Sequence, residues 1–207
     1  MICYTVITDN YDTLKEPKVI SEGWQYFAFV DLPTKFKIGW DDSIWQPIVL
    51  KEDQKKQKII PEFKSGVTVY VDGSIEVNID LNKLMNNVVA DIAFIKHPDR
   101  DTLHEEAEAV KRLNKAYPFL VDKQTKAYKE EGYDLDKKGL AACGVIIRNH
   151  TPTINAFCKE WYNQVKLHTK RDQLSLQFTA WKCGITYQLL PSHFFNREFK
   201  LFMHKKR

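Results

Sequence analysis

The sequence predicts an α/β protein with a single domain over residues 1–207, built on a mixed, mostly parallel sheet flanked by helices. Short β-branched or aromatic runs alternate with amphipathic helical segments. The apolar fraction is 43%, and 207 residues are enough for one domain with a substantial core. No window approaches the roughly 18 consecutive apolar residues of a membrane span, and the start lacks signal-peptide features. We therefore expect a cytoplasmic protein.

Four apolar runs are predicted strands, and each runs into a polar residue. The runs are ICYTVIT (2–8), WQYFAFVD (24–31), VTVYVD (67–72) and DIAFIKH (91–97). The polar residues at their ends are Asp9, Asp31, Asp72 and His97. Because ligands of open α/β sheets bind beyond the carboxyl ends of the strands, these positions predict one shared crevice.

The remaining segments are mostly helical. Residues 100–116 carry apolar residues at helical spacing, with acids early and bases late, and predict a helix. LNKLMNN (81–87) predicts a short helix or turn, and residues 122–139 part helix and part loop. LAACGVIIRNH (140–150) predicts a strand, and residues 151–168 and 171–184 predict two final helices. This order of elements is that of an α/β nucleotide-binding domain.

The formal net charge is +4, with basic residues concentrated in KEDQKKQK (51–58) and HKKR (204–207). Such an excess suits a protein that handles phosphates, and the run at 51–58 is interpreted as a solvated loop or helix end. The four cysteines form no C-x-x-C pair and predict buried free thiols, not a zinc site or disulfides. They are Cys3, Cys143, Cys158 and Cys183.

The common catalytic motifs are missing from the sequence. It contains no G-x-G-x-x-G or Walker loop, no H-E-x-x-H and no G-x-S-x-G. The dinucleotide-binding, P-loop, zinc-protease and serine-hydrolase interpretations therefore lose their main support.

Two motifs carry a more specific indication, YVDGSIEV (70–77) and RDQLSL (171–176). Together with the other segments, and in this order, they make the sequence resemble the GT-A type glycosyltransferase-like family, which includes plant mucilage- and TOD-type proteins and bacterial homologues. The resemblance covers most of the chain. It implies a Rossmann-like GT-A domain that moves a hexose or pentose from a nucleoside-diphosphate-sugar donor to a hydroxyl acceptor.

The resemblance also implies a divalent metal, Mn²⁺ or Mg²⁺. YVDGS lies where GT-A enzymes carry a D-x-D element, whose carboxylates bind an ion that bridges the donor diphosphate. Asp72 matches the first acid, but Ser74 replaces the second. His204 would supply a further metal ligand or touch the diphosphate. The alternative is that residues 72–74 form only an Asx-type hairpin turn.

Further donor-binding residues follow from position in the family pattern. Asp9 and Asp31 would meet the base and ribose, and Lys35 is one of two basic residues after the second strand. Arg100 would clamp a phosphate or pair with a neighbouring glutamate. Capping, turn and salt-bridge roles remain the alternatives for these side chains.

Asp172 is the predicted catalytic residue, either as acid-base group or as the group that binds the donor sugar. It begins an amphipathic helix whose apolar face is occupied by other residues, so Asp172 and Gln173 are expected to be free for solvent or substrate. Arg171 would support Asp172 or bind substrate. Helix capping by an acid is the alternative.

The acceptor is either a glycan or glycolipid, or a hydroxylated base in viral DNA, in a bacterial or virus-infected bacterial cell. One rival is a metal-dependent nuclease or phosphoesterase that uses Asp72, Glu76 and Asp172. Another is a non-catalytic, basic nucleic-acid-binding module. Its candidate stacking surfaces are Trp24, Trp40 and Trp45.

Overall fold

A computed structural model describes residues 1–50, 53–63 and 65–202. The first part of the chain contains β1 (Ile2–Ile7), β2 (Gln25–Val30), α1 (Leu32–Lys37), β3 (Gln46–Val49), α2 (Gln54–Ile59), β4 (Val67–Val71), β5 (Ile75–Val77) and α3 (Leu81–Met85). The second part contains β6 (Ile92–Lys96), α4 (Leu103–Arg112), α5 (Pro118–Glu130), β7 (Ala141–Asn149), α6 (Pro152–Leu167), α7 (Asp172–Lys182), β8 (Gln188–Leu190), a 3₁₀ helix (Ser192–Phe195) and β9 (Phe199–Leu201).

The main sheet has seven strands in the described residues, in the order β3-β2-β1-β4-β7-β6-β8. β1 pairs in parallel with both β2 and β4, β2 with β3, and β6 with β8, whereas β7 is antiparallel to β4 and β6. The carboxyl ends of β1, β2, β4 and β6 therefore lie at one edge, together with the start of β7. The predicted fold class, a mixed and mostly parallel sheet flanked by helices, is confirmed.

The predicted helices begin and end at recognisable residues. Thr102 and Glu105 form a capping box at the start of α4, and Thr151 caps α6 ahead of Pro152. After α7 the chain turns at Gly184, whose φ of 65° lies in the left-handed region that glycine tolerates. The short helix α1 was not predicted, and α2 lies in the run that was interpreted as a solvated loop or helix end.

Two apolar clusters cover the two faces of the main sheet. One includes Val69, Val71 and Ile147, and the other includes Tyr4, Ile146 and Trp161 from α6. Neighbouring residues of β7 thus contribute to opposite clusters, as the period of two in a strand requires. A third cluster joins α4, α5 and α7, and it fixes the start of α7 beside the sheet edge.

The segment around YVDGSIEV is not a hairpin. A strand does follow Asp72, as predicted, but β5 pairs antiparallel with β9 in a separate two-stranded sheet and not with β4. The amide of Phe202 donates to the carbonyl of Ser74 at 2.9 Å and extends this pairing. The turn after β4 therefore leads from one sheet into the other.

The cysteine prediction is correct for three residues and wrong for one. Cys3, Cys143 and Cys158 are buried, whereas Cys183 lies just after α7 and is exposed. Among the described helices, none has both the length and the apolar character needed to cross a bilayer.

Candidate active site

A cleft of about 560 Å³ opens at the edge of the sheet where β1 and β4 end and β7 begins. Its walls also include α2 and the start of α7. Five of the predicted site residues line it, and they are Asp9, Asp72, Arg171, Asp172 and Gln173. Of the four strand-end residues that predicted one shared crevice, Asp9 and Asp72 line this cleft, whereas Asp31 and His97 do not.

Lys58 joins the two acids of this cleft. Its Nζ lies 3.1 Å from Asp72 Oδ1 and 2.8 Å from Asp172 Oδ2. The lysine side chain is only 6% exposed. Burial lowers the pKa of Lys58, but the nearby charges of Asp172 and Asp72 outweigh this effect and raise it. Lys58 is therefore charged at neutral pH.

Asp172 is buried and ion-paired on both carboxylate oxygens. Lys55 Nζ lies 3.1 Å from Oδ1, and Lys58 Nζ occupies the other oxygen. The indole N–H of Trp161 donates to the Asp172 carbonyl at 2.9 Å and anchors the start of α7. Burial opposes ionisation, yet Lys55 and Lys58 hold the pKa of Asp172 far below its usual range. The expectation that Asp172 would be free for solvent was wrong, because two lysines 114 to 117 positions earlier enclose it.

Asp72 is held by its own strand and by its neighbour β7. The Tyr70 hydroxyl donates to Asp72 Oδ1 at 2.5 Å, and the Asp72 amide donates to the Gly144 carbonyl at 2.8 Å. Burial and the Asp72 charge raise the pKa of Tyr70 well above its usual value, so the phenol stays protonated. The Asp72 side chain keeps 38% exposure and faces the cleft with its remaining oxygen.

Asp9 and Asp31 form one turn at the end of β1. Asp9 and Asn10 both have positive φ values, 55° and 51°, a conformation that these residue types tolerate. The Asp9 amide donates to Asp31 Oδ2 at 2.8 Å, and Asp31 Oδ1 caps α1 by accepting from the Thr34 amide. Partial burial opposes ionisation, but these hydrogen bonds hold the pKa of Asp31 below its usual value. Asp31 thus supports the cleft wall, while Asp9 lines it.

Lys35 and Arg100 do not line the cleft. Lys35 lies in the last turn of α1. Arg100 makes the salt bridge that the sequence left open, with its Nε 2.6 Å from Glu106 Oε2. His97 accepts from the Asp99 and Arg100 amides through Nδ1, which is a structural contact.

The outer part of the cleft is basic. Arg171 and Lys115 both line it, and within the described residues the buried Nε of Arg171 has no hydrogen-bond partner. Burial and then the charge of Arg171 lower the pKa of Lys115. Two like charges that face one opening, without a carboxylate bonded to either in the described chain, favour an anion between them.

The described residues do not by themselves fit a divalent metal. Of the predicted ligands, Asp72 lies in the cleft, but one of its oxygens already accepts from Lys58 and Tyr70. Ser74 lines the cleft where a second acid would stand, and His204 lies outside the described residues. No group of three metal-ligating side chains occurs in residues 1–50, 53–63 and 65–202. The positive charge beside Asp72 is instead that of an ammonium group.

The rival sites are not assembled. Glu76 pairs with Lys18 at 3.2 Å and is not part of the cleft that holds Asp72 and Asp172. Trp24 and Trp45 are core residues, and the half-buried Trp40 donates its indole N–H to the Lys35 carbonyl. Neither a three-carboxylate centre nor a row of exposed stacking surfaces is formed by these residues.

Three basic residues of the cleft were missed from the sequence: Lys55, Lys58 and Lys115. The first two belong to the charge run that was interpreted as a solvated loop or helix end, and α2 places them three positions apart on one helix face. Ile59 follows Lys58 and is fully buried, which is the one local indication that this turn packs against the sheet.

The fold places the chain in a known structural class. It superposes on the apo structure of WbbM, a bifunctional glycosyltransferase, with a TM-score of 0.54 and 11% identity over 91% of this chain and 38% of that one. The chain therefore shares its fold with part of this glycosyltransferase.

The sequence comparisons identify the family. Residues 53–207 match the TOD1/MUCI70 glycosyltransferase-like domain, and the chain belongs to this family. It is also 27% identical over 210 aligned residues to the probable hexosyltransferase MUCI70 of Arabidopsis thaliana, a match that covers 84% of this chain and 36% of the plant protein. The predicted family is therefore confirmed. The chain spans little more than a third of the length of MUCI70 and of WbbM.

Proposed function

We propose that the cleft binds a nucleoside-diphosphate sugar and transfers the sugar to a hydroxyl group of a glycan acceptor. The observation that carries this proposal is the pair of carboxylates, Asp72 and Asp172, held by the shared ammonium of Lys58 at the carboxyl edge of the sheet. Family membership and the glycosyltransferase fold support the same reaction class. Carboxylates accept hydrogen bonds from sugar and ribose hydroxyls, and the cations beside them suit phosphates.

The reaction breaks the bond between the anomeric carbon and the diphosphate oxygen and forms a bond from that carbon to the acceptor oxygen. Negative charge develops on the leaving diphosphate. Lys55, Lys58, Lys115 and Arg171 line the cleft and would stabilise this charge. Because the described residues do not complete a metal site, no step of this mechanism depends on a divalent ion.

The carboxylate of Asp172 stays ionised at neutral pH. An efficient general base at neutral pH has a pKa near the working pH, whereas Lys55 and Lys58 hold that of Asp172 far lower. We therefore assign Asp172 to the donor sugar, where it accepts from hydroxyl groups and stabilises positive charge at the anomeric carbon. The proton of the acceptor hydroxyl leaves to another group or to solvent.

A thermal-shift panel tests the proposal. UDP, GDP, CMP and ADP, and sugars linked to them, are added to the wild-type chain, since a ligand that binds only the folded state raises the Tm by mass action. We expect one nucleotide to raise the Tm, and the shift to disappear in Asp72→Ala. Lys35→Met serves as control, because this lysine lies on α1 outside the cleft.

The acceptor is tested separately by incubating the identified donor with a glycan mixture or with duplex DNA that contains hydroxymethylated bases. Sugar incorporation into the glycan supports the proposal. Incorporation into DNA instead would contradict the glycan acceptor and identify a hydroxylated base in DNA as the acceptor. If no nucleotide shifts the Tm, the donor site as drawn here is wrong.

A further inference from the structure

The backbone of Lys58 is held from the side opposite to the cleft. Its carbonyl oxygen accepts two hydrogen bonds, from the Tyr4 hydroxyl at 2.9 Å and from Arg148 Nη2 at 2.9 Å. Arg148 Nη1 also donates to the Tyr4 hydroxyl at 2.7 Å and closes a triangle of three groups. The same residue thus places its carbonyl in the core and its ammonium in the active site.

Arg148 is an unusual residue to find in this place. It lies on β7 with no exposed surface, and no carboxylate of the described residues pairs with it. Its Nε has no hydrogen-bond partner in the described chain. Burying a guanidinium group without a carboxylate costs desolvation free energy, which only its hydrogen bonds offset. The role of Arg148 therefore lies in the groups to which it donates.

The helix that carries Lys58 cannot fix this residue unaided. α2 has six residues, and an isolated helix of that length is not stable in water. Carbonyls in the last turn of a helix lack N–H donors within the helix, and Lys58 belongs to this turn. Tyr4 and Arg148 bind one of these carbonyls and connect α2 to β1 and β7.

We propose that Arg148 and Tyr4 are positioning residues that hold Lys58 between Asp72 and Asp172. Strand β7 contributes twice to this geometry, since its Gly144 carbonyl also accepts from the Asp72 amide. The catalytic meaning of this assignment rests on the proposed glycosyl transfer, but the placement of Lys58 can be tested without any substrate.

The test measures the rate at which a small amine-acylating reagent modifies Lys58, relative to the exposed Lys37 of α1, by mass spectrometry. A buried, ion-paired amine reacts only when the structure opens locally. In Arg148→Met we expect the ratio of Lys58 to Lys37 labelling to rise about tenfold, the factor that corresponds to the loss of a charge-assisted hydrogen bond. Tyr4→Phe removes a second donor and should raise the ratio in the same direction.

The matched control is Ile147→Ala. Ile147 adjoins Arg148 in the chain but packs in the cluster on the opposite face of the sheet. Its truncation lowers the Tm through a core cavity and leaves the Lys58 carbonyl untouched. We expect its labelling ratio to equal that of the wild type. A comparable rise in Ile147→Ala would mean that general loosening of the fold exposes Lys58, and would overturn the assignment.

An unchanged ratio in folded Arg148→Met would also overturn it, and if that variant does not fold, Tyr4→Phe decides in the same way. With the donor identified above, both variants should lower kcat more than they raise KM, because Lys58 acts on developing charge. If the wild type binds no nucleotide, the proposed function fails while the labelling result still decides the positioning role.

Discussion

Lys58 Nζ lies 2.8 Å from Asp172 Oδ2, and neither side chain is more than 6% exposed. This buried ion pair links α2 to α7, and Asp72 shares the same ammonium. Its parts are far apart in the sequence, so the pair forms only when the sheet edge is complete. The charges of the cleft and the fold are therefore coupled.

Replacing Lys58 by Met should destabilise the protein. The change leaves Asp172 buried with Lys55 as its remaining bonded cation, and loss of one partner of a buried ion pair costs about 3 kcal/mol in the free energy of unfolding. Urea titration measures the change. Lys35→Met should stay within about 0.5 kcal/mol of the wild type. In the double variant Lys58→Met/Asp172→Leu part of the loss should be recovered, and equal or greater loss there would contradict the ion-pair explanation.

Asp172→Asn should lower kcat by roughly 10²- to 10³-fold, the usual effect of removing one preorganised electrostatic group. Because the pKa of Asp172 is held far below its usual range, the carboxylate stays charged at every pH above about 4. Any fall in the wild-type rate between pH 8 and pH 5 should therefore also occur in Asp172→Asn. A fall in rate in this pH range that is absent from the variant would identify Asp172 as a titrating base.

Gly73→Ala should displace the turn that follows Asp72. A Cβ at Gly73 would lie 2.6 Å from Ile7 Cγ1 and 3.0 Å from Asp12 Cβ. We expect a loss of about 1 to 3 kcal/mol, as for overpacking, and weaker nucleotide binding. Gly39→Ala is the control, because a Cβ at Gly39 meets nothing within 4 Å. Equal effects of the two substitutions on the free energy of unfolding and on nucleotide affinity would contradict this explanation, because the lack of space for a Cβ at Gly73 would then not cause the loss.

Metal removal should leave nucleotide binding in place. The cleft supplies cationic charge through Lys55, Lys58, Lys115 and Arg171, so the nucleotide that raises the Tm should also raise it in excess EDTA. Isothermal titration with and without Mn²⁺ measures the affinity. Ser74→Asp adds the acid that a D-x-D element would have and should strengthen Mn²⁺ binding. Nucleotide binding that requires Mn²⁺ in the wild type would contradict the lysine-based site.

Stability should depend on pH through His97. Its Nδ1 accepts from two backbone amides and its Nε2 faces Arg100, so burial and the Arg100 charge lower its pKa to about 4. Above the ordinary pKa of 6.5 both folded and unfolded forms are neutral. As the pH falls from 6.5 to 4, the unfolded state takes up a proton that the folded state does not, so this contribution to stability is lost over that window.

The variant His97→Asn keeps an acceptor near the two amides and removes the titrating group. Its free energy of unfolding, measured by urea between pH 4 and pH 8, should fall less steeply than that of the wild type. Parallel curves would show that His97 does not contribute to this slope.

Five strands of the main sheet, β1, β2, β4, β6 and β7, were predictable because they are nearly continuous apolar runs, which is a local property. The short strands β3 and β8 at its two edges were not predicted. The position of Asp172 on its helix was local as well. Its burial was not, since it depends on Lys55 and Lys58, which a local view assigns to solvent. A short segment such as VYVDGSIEVN likewise predicts two strands but not their partners, and β5 pairs with a strand more than a hundred residues later.

The pairing of β5 with β9 also determines where labels can be attached. Leu201 pairs with Ile75, and the Phe202 amide donates to the carbonyl of Ser74, which lines the cleft. The Met1 ammonium instead lies by the Gly23 carbonyl, at the other edge of the sheet. An affinity tag or fluorophore joined near Phe202 would perturb the cleft wall at Ser74, and one joined at Met1 would leave this wall undisturbed. Shortening the chain before Phe199 would unpair β5 and free the segment next to Asp72, so binding assays on truncated forms would report this loss as weak affinity.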